Sequence, residues 1–529
     1  MNRFLNRANK RVSLGGAASL LIVVALLGQG LGFIRTRLLA TNFTNVDSGL
    51  TDALFWAFLI PDFFYYTIVA GALGVAFMPV IADKIAKGDK RAVSEITSSL
   101  MNVLAIAMAA TALIVFVAAP VIIHTLAHSL PADHQYEAIM IMRLLALNPL
   151  FFALSGILTS VQQSYGRFFF YAITTPFYNM VIIASIFLFR DNLGIIGVGV
   201  GALVGAFLQL VVASLGLVGM GFKYKPKIAW QSPDFRGILR RLPPRSLDQG
   251  IDQVNGVVEL NRAGSLPGVG HISNYTYAST LHNVPIMLIG NAISTAAFPR
   301  LTDRLAQGRP DLFRKDFLRI LQVMIWLTAP IIVIAFFGRG YLARLIFGST
   351  EPQIAQIFGF LTLAIFFRII YAMVSRYFYA HKDTRTPLFV SIFAIALNIF
   401  LAFTLVREEG YGVAGLAIAQ SLVAASEVLI LGSIMVLRDP KLLNRQFWGS
   451  VSRIVSVTGF TLVTAYIMLG LLPLQIADRG FVTLGTKLAI ISGAILTVHV
   501  FVSWLFELEE GKTVIDRAKK IIYRPVRVQ

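Results

Sequence analysis

Five polar residues advance by four, three, four and three positions: Asp248, Asp252, Asn255, Glu259 and Arg262. On an α-helix that spacing places them along one face. Carboxylates are hard oxygen ligands or proton carriers, so the stripe fits a site for Na+ or H+. Two plainer readings stand beside it. Glu259 and Arg262 are three apart and can neutralise one another, or the segment is only partly embedded in apolar surroundings. Arg35 is a second candidate, placed with Arg37 in the last turns of an apolar stretch. A guanidinium at membrane depth is costly and faces a wet cavity or a partner. Its planar donors can grip a diphosphate with paired hydrogen bonds. The alternative is that both arginines snorkel to the interface. Asp52 follows Thr51 at the start of the next apolar stretch, as a helix N-cap, an ion partner for Arg35, or both. Arg368 and Arg143 each lie inside a later stretch, where they line a cavity or pair with the acids above.

Composition says what must position these groups. The chain has 529 residues, 56% of them hydrophobic and 14% charged, with a mean hydropathy of +0.73. A soluble core cannot absorb that much apolar surface, so the bilayer is the solvent. The expected fold is all-α and polytopic, with fourteen spans near 14–40, 52–83, 95–125, 136–163, 168–189, 194–222, 243–262, 272–299, 316–347, 353–380, 386–406, 410–437, 446–471 and 481–506. The opening run MNRFLNRANKR leads into a span of ordinary length and reads as a retained first helix, not a cleaved signal peptide. There is no cysteine, which excludes disulfides and thiol chemistry. The net charge of +19 does not point to nucleic acid, because the basic residues lie in short loops between spans. Of 46 lysines and arginines, 34 fall in the termini and the loops after even-numbered spans, against 6 in the opposite loops. That asymmetry places both termini in the cytoplasm. No GxxxxGK[ST] loop occurs, so ATP is not the expected energy source.

A long-range repeat organises the spans. Pro79, Asp83, Lys84, Ala86 and Gly88 recur as Pro299, Asp303, Arg304, Ala306 and Gly308, each pair 220 residues apart. Thr175-Pro176 recurs as Thr386-Pro387, and Gly194 with Gly197 as Gly412 with Gly415. Parallel repeats of this kind build two-lobed transporters. The expected plan is an N-lobe (1–222), a basic cytoplasmic linker (223–242), a C-lobe (243–438), an unpaired pair of helices (439–507) and a cytoplasmic tail (508–529) lying along the anionic leaflet. Pro61, Pro149, Pro176, Pro285 and Pro387 interrupt or open spans, which suits bending.

Several segments resemble a known family. They are Leu31-Gly32-Phe33-Ile34-Arg35; Thr51-Asp52-Ala53-Leu54-Phe55 running through Ala57-Phe58-Leu59-Ile60-Pro61 to Gly71-Ala72 and Ala76-Phe77-Met78-Pro79; and Phe378-Tyr379-Ala380-His381-Lys382-Asp383-Thr384-Arg385-Thr386-Pro387. They are similar to the signature segments of the MurJ/MviN lipid II flippases, within the multidrug/oligosaccharidyl-lipid/polysaccharide exporter superfamily. The resemblance implies fourteen spans and a central cavity lined by basic residues. This chain departs from that lining. Gln29 stands where an arginine is expected, Tyr65-Tyr66 where a basic pair is usual, Ala70 where an acid is usual, and Ser279-Thr280 where an Asp-Arg pair is usual. Arg35 and Asp52 remain. Tyr65, Tyr66, His282 and Asn283 lie where the family places charge, and tyrosine hydroxyls still donate to phosphate or sugar. The resemblance also implies a cation site from an aspartate of the seventh span and an asparagine of the eleventh, here Asp252 and Asn398.

The expectation is therefore a non-enzymatic flippase in the cell inner (cytoplasmic) membrane. It would carry a polyprenyl-diphosphate-linked peptidoglycan precursor by alternating access, with no cofactor beyond a coupling Na+ or H+. The alternatives are a flippase for another lipid-linked oligosaccharide, favoured by the lost basic residues; a cation-coupled drug antiporter, favoured by the acidic seventh span; and a non-transporting scaffold.

Overall fold

The computed structural model describes residues 14–70, 76–348 and 352–512; within them the side chains of 14–23, 25, 70, 241, 243–249 and 251–252 are not described. The basic N-terminal run, Gly71-Ala72 and most of the tail lie outside these residues. The described chain is all-helical. Twelve helical segments among the described residues are long and apolar enough to cross a membrane, from Ser48–Val69 to Phe481–Leu505. Two expected spans are not among the twelve. One is α1 (Leu14–Leu39), whose 26 mostly apolar residues are long enough to cross. The other is α9 (Pro233–Gly264), which is polar on balance over 32 residues. The chain separates into two compact units, Met1–Ser273 and Asn274–Gln529.

The first unit holds α1, α2 (Ser48–Tyr65), α3 (Met78–Ala86), α4 (Lys90–Leu126), α5 (Ala132–Leu145), α6 (Asn148–Ser164), α7 (Phe169–Leu193), α8 (Ile196–Leu215) and α9. Residues 223–242 were expected to be linker, but α9 already begins at Pro233, where Ser232 Oγ accepts from the Phe235 amide at 3.4 Å. The preceding strip is pinned to α4. Ser98 and Ser99 accept from the Lys225 and Ala229 amides at 3.0 and 2.9 Å. Asn102 donates to the Lys225 and Lys227 carbonyls at 3.0 Å each. The far end of α9 also packs in the first unit, with Gly264 against Trp56 and Asn261 donating to the Leu126 carbonyl at 3.4 Å. The segment expected to open the C-lobe thus groups with the first unit.

The second unit holds most of α10 (His271–Pro285), then α11 (Ala292–Ala306), α12 (Pro310–Phe337), α13 (Arg339–Phe347), α14 (Pro352–Ala380), α15 (Arg385–Leu405), α16 (Ala414–Arg438), α17 (Arg445–Leu471) and α18 (Phe481–Leu505). The α17–α18 hairpin seats on α12. Trp326 and Ala329 bury against Ile454, Val457 and Val502, and Trp326 Nε1 donates to Ser503 Oγ at 2.8 Å.

The repeat is visible as backbone geometry. At the end of α3, the Gly88 amide donates to the Ile85 carbonyl and the Asp89 amide to Lys84; at the end of α11, Gly308 donates to Leu305 and Arg309 to Arg304, all at 3.0 Å. That pair of bonds is a Schellman cap, which needs a left-handed residue, and Gly88 and Gly308 have φ of 72° and 67°. Wide π-helical turns precede both caps, at Tyr66–Ala70 and Ile286–Asn291, and their first residues are again 220 apart. Gly197 and Gly415 repeat a close approach. An added Cβ would lie 2.4 Å from Phe189 Cβ in one and 2.7 Å from the Leu405 backbone in the other.

Candidate functional site

In α1, Gly28, Gly32, Arg35 and Leu39 recur by four, three and four, and so share a face. At Gly28 that face lies against α7, with Pro176 at van der Waals distance, 3.8 Å, from where a Cβ would sit. At the end of α2 and the start of its π-turn, Tyr65 and Tyr66 fall three and four residues after Asp62, which directly follows Pro61. These two faces meet around a cavity of about 820 Å³ inside the first unit. Gln29, Arg35, Asp62, Tyr65, Tyr66 and Tyr178 line it. Four of the sequence-selected residues, Gln29, Arg35, Tyr65 and Tyr66, therefore come together. Arg35 Nε is buried and has no hydrogen-bond partner among the described residues. Its charge acts on the Asp62 carboxylate and on Tyr178. Rings wall the site edge to face: Tyr65 with Tyr66 at 5.2 Å, Tyr65 with Phe152 at 5.5 Å and Phe152 with Tyr178 at 5.2 Å. A guanidinium with an unmet Nε donor, set among phenols and the side-chain amides of Gln29, Asn179 and Gln209, can bind a multivalent anion such as a phosphate ester.

Asp52 is not part of this cavity, and it is neither the N-cap of α2 nor a partner of Arg35. Asp47 caps α2 by accepting from the Gly49 amide at 2.9 Å. Asp52 is buried and accepts from the Gly270 amide at 2.6 Å, the Ser273 amide at 2.7 Å and the Ser273 hydroxyl. It thus caps the N-terminus of α10, where free amides and the helix dipole favour a carboxylate. Asp52 and Asp62 are ten residues apart, which turns their side chains to different faces of α2.

On α9, Glu259 is buried and accepts from Asn255 Nδ2 at 2.9 Å. The side chains of Asp248 and Asp252, the other acids of the stripe, lie outside the described residues. In the second unit, Asn398 is buried in α15 and Asn283 is exposed on α10. Arg368 is tied within the second unit. It donates to Glu427 at 2.6 Å and to Gln420 at 3.3 Å, both on α16. Glu427 is only 5% exposed, so this is a structural ion pair that would be costly to break. His282 is buried, and the Arg368 charge reaches it. Arg143 lies over the Phe116 ring at 5.3 Å and donates to the Phe116 carbonyl at 3.3 Å.

The 378–387 segment is a turn held by one carboxylate. Lys382 has φ 61°, and the Asp383 amide closes onto the Phe378 carbonyl at 2.9 Å. Asp383 accepts from the Arg385 and Thr386 amides at 2.9 and 3.1 Å, the Thr386 hydroxyl at 2.6 Å and Arg438 at 2.5 Å. These donors hold its carboxyl well below the usual carboxylate range. The signature positions its own helices.

Sequence reasoning missed Asp62, Tyr178 and Asn179. Asp62 had a usable signal, because an acid inside an apolar span is a functional candidate by default. Tyr178 had none, since nothing in spacing tells which neighbour a helix face meets.

The described residues define a class: a multi-pass, all-helical membrane protein. A solved structure of lipid II flippase MurJ in an inward closed conformation has the same fold, with a TM-score of 0.75, 22% identity, and 92% of this chain and 98% of that one covered. A multidrug resistance MATE family transporter of the MOP superfamily follows at a TM-score of 0.66, 15% identity, and 80% and 99% coverage. The family model described as lipid II flippase MurJ matches residues 46–482, so the chain belongs to the MurJ family. Relatives include a probable lipid II flippase MurJ of Borreliella burgdorferi, 23% identical over 80% of this chain and 83% of that protein. The lipid II flippase MurJ of Burkholderia cenocepacia is 24% identical over 77% and 81%.

Proposed function

We propose that this chain moves lipid II, the polyprenyl-diphosphate-linked peptidoglycan precursor, from the cytoplasmic to the outer leaflet. Family membership supports the substrate. The observation that carries the reading is Arg35, a guanidinium with an unmet donor facing a cavity in an apolar helical unit. In this account Arg35 attracts the diphosphate while Gln29 and the phenols of Tyr65, Tyr66 and Tyr178 bind phosphate or sugar oxygens. The polyprenyl tail stays in the bilayer against the α17–α18 hairpin, and the two units alternate access to the two leaflets. The protein makes and breaks no covalent bond and uses no ATP, and both termini face the cytoplasm. Resetting draws on the membrane potential, about 2.3 kcal/mol per charge across 100 mV, or on a coupling Na+ or H+ taken by the acidic stripe of α9, Asp248, Asp252 and Glu259. A flippase for a different lipid-linked oligosaccharide is the second reading. It is favoured by a cavity with a single arginine, in which neutral Gln29, Tyr65 and Tyr66 stand where the family places charge.

Reconstituted vesicles test the first reading. The wild type should flip lipid II, and Arg35→Ala should slow flipping about 30- to 100-fold, the worth of a lost charge-assisted pair. Unchanged rates would remove Arg35 from the mechanism.

A further inference from the structure

Asp62 is the only carboxylate among the described residues that line the cavity. The titratable groups that share the cavity with it are Arg35 of α1, Tyr65 and Tyr66 of α2 and its π-turn, and Tyr171 and Tyr178 of α7. From α6 comes Phe152 and from α8 come Val198 and Gln209, which do not titrate. On α9, which meets the π-turn where Gly250 approaches Thr67, Glu259 is turned to Asn255.

With both groups ionised, Arg35 and Asp62 leave the cavity without net formal charge. A diphosphate that grips Arg35 brings further negative charge beside Asp62. In an apolar wall, two like charges at close range disfavour the ionised form of the weaker acid. Either Asp62 stays charged and repels the head, or it is neutralised. A sodium ion would need several converging oxygen ligands, as hard cations do. No group of three His, Asp or Glu converges among the described residues. A proton needs only the one carboxylate.

We propose that Asp62 is a proton-binding site linked to substrate binding. It takes a proton from water as a diphosphate lipid docks on Arg35 and loses it when the head leaves. This rests on the reading of the cavity as a diphosphate-lipid site. Ionised Asp62 then acts against anions, and its protonation admits the diphosphate.

The test is calorimetric. The full chain in lipid nanodiscs is titrated with farnesyl diphosphate in buffers of different ionisation enthalpy, which counts protons taken up on binding. The wild type should take up about one proton more than Asp62→Asn, and its affinity should fall by up to about tenfold per pH unit where Asp62 titrates. Asp62→Asn should bind with a flatter pH profile, and Asp62→Glu should keep the uptake. Asp62→Ser serves as the neutral variant should the asparagine protein not fold. Equal uptake in wild type and a folded neutral variant overturns the proposal and leaves the flippase reading standing. No binding of farnesyl diphosphate by the wild type overturns both.

Discussion

Asp52 and Asp62 share one helix and have opposite jobs. Asp62 faces a cavity with Arg35, while Asp52 is walled in and accepts three hydrogen bonds from the start of α10. Removing Asp52 strands the buried Gly270 and Ser273 amides, while the Ser273 hydroxyl keeps Thr51 Oγ1 at 2.7 Å; each unsatisfied amide costs about 1–3 kcal/mol. Asp52→Ala should therefore destabilise the protein by roughly 3 kcal/mol, seen as a lower thermal midpoint in detergent. Any folded fraction should bind diphosphate lipid as the wild type does. A normal midpoint with weakened binding would return Asp52 to the site. Arg35 differs in kind, since its unmet donor gives it capacity that the fold does not use.

At the scale of elements, the recurring sequence segments are mainly caps and turns. Gly88 and Gly308 occupy left-handed positions that end helices, where a side chain costs about 1 kcal/mol. The 378–387 turn shows the same geometry with Lys382 in the strained position. There Asp383 ties the turn to Arg438 at the end of α16. Because its folded-state pKa is depressed, its contribution is present above the ordinary carboxylate value of about 4 and is lost as pH falls below that value toward the folded one. Asp383→Asn should lower the thermal midpoint at neutral pH, and the gap from wild type should close on acidification. A gap that stays constant down to about pH 3 would show that the carboxylate charge is not what holds the turn. The π-turns at Tyr66–Ala70 and Ile286–Asn291 recur with the caps, so the repeat preserves a widened turn as well as an ending.

At the scale of the molecule, span positions and the internal repeat were legible because apolar length and cap residues are local signals. Partners across long separations were not. Asp52 meets Ser273, 221 residues away, and Arg368 meets Glu427, 59 residues away. Periodicity gives the face of a helix but not the neighbour it meets. Lipid and packed protein are equally apolar, so hydropathy does not separate the wall of a cavity from the wall of a bilayer. The stripe on α9 was legible as a face, yet its helix groups with the first unit and not with the second. Arg35 was legible because a charge in an apolar span has few uses. The most direct measurement of the whole account is rescue of a bacterial strain depleted of its own lipid II flippase. The wild-type chain should restore growth and lipid II translocation, and an expressed, membrane-inserted Arg35→Ala chain should not. Failure of the wild type to rescue while it inserts normally, or full rescue by Arg35→Ala, would contradict it.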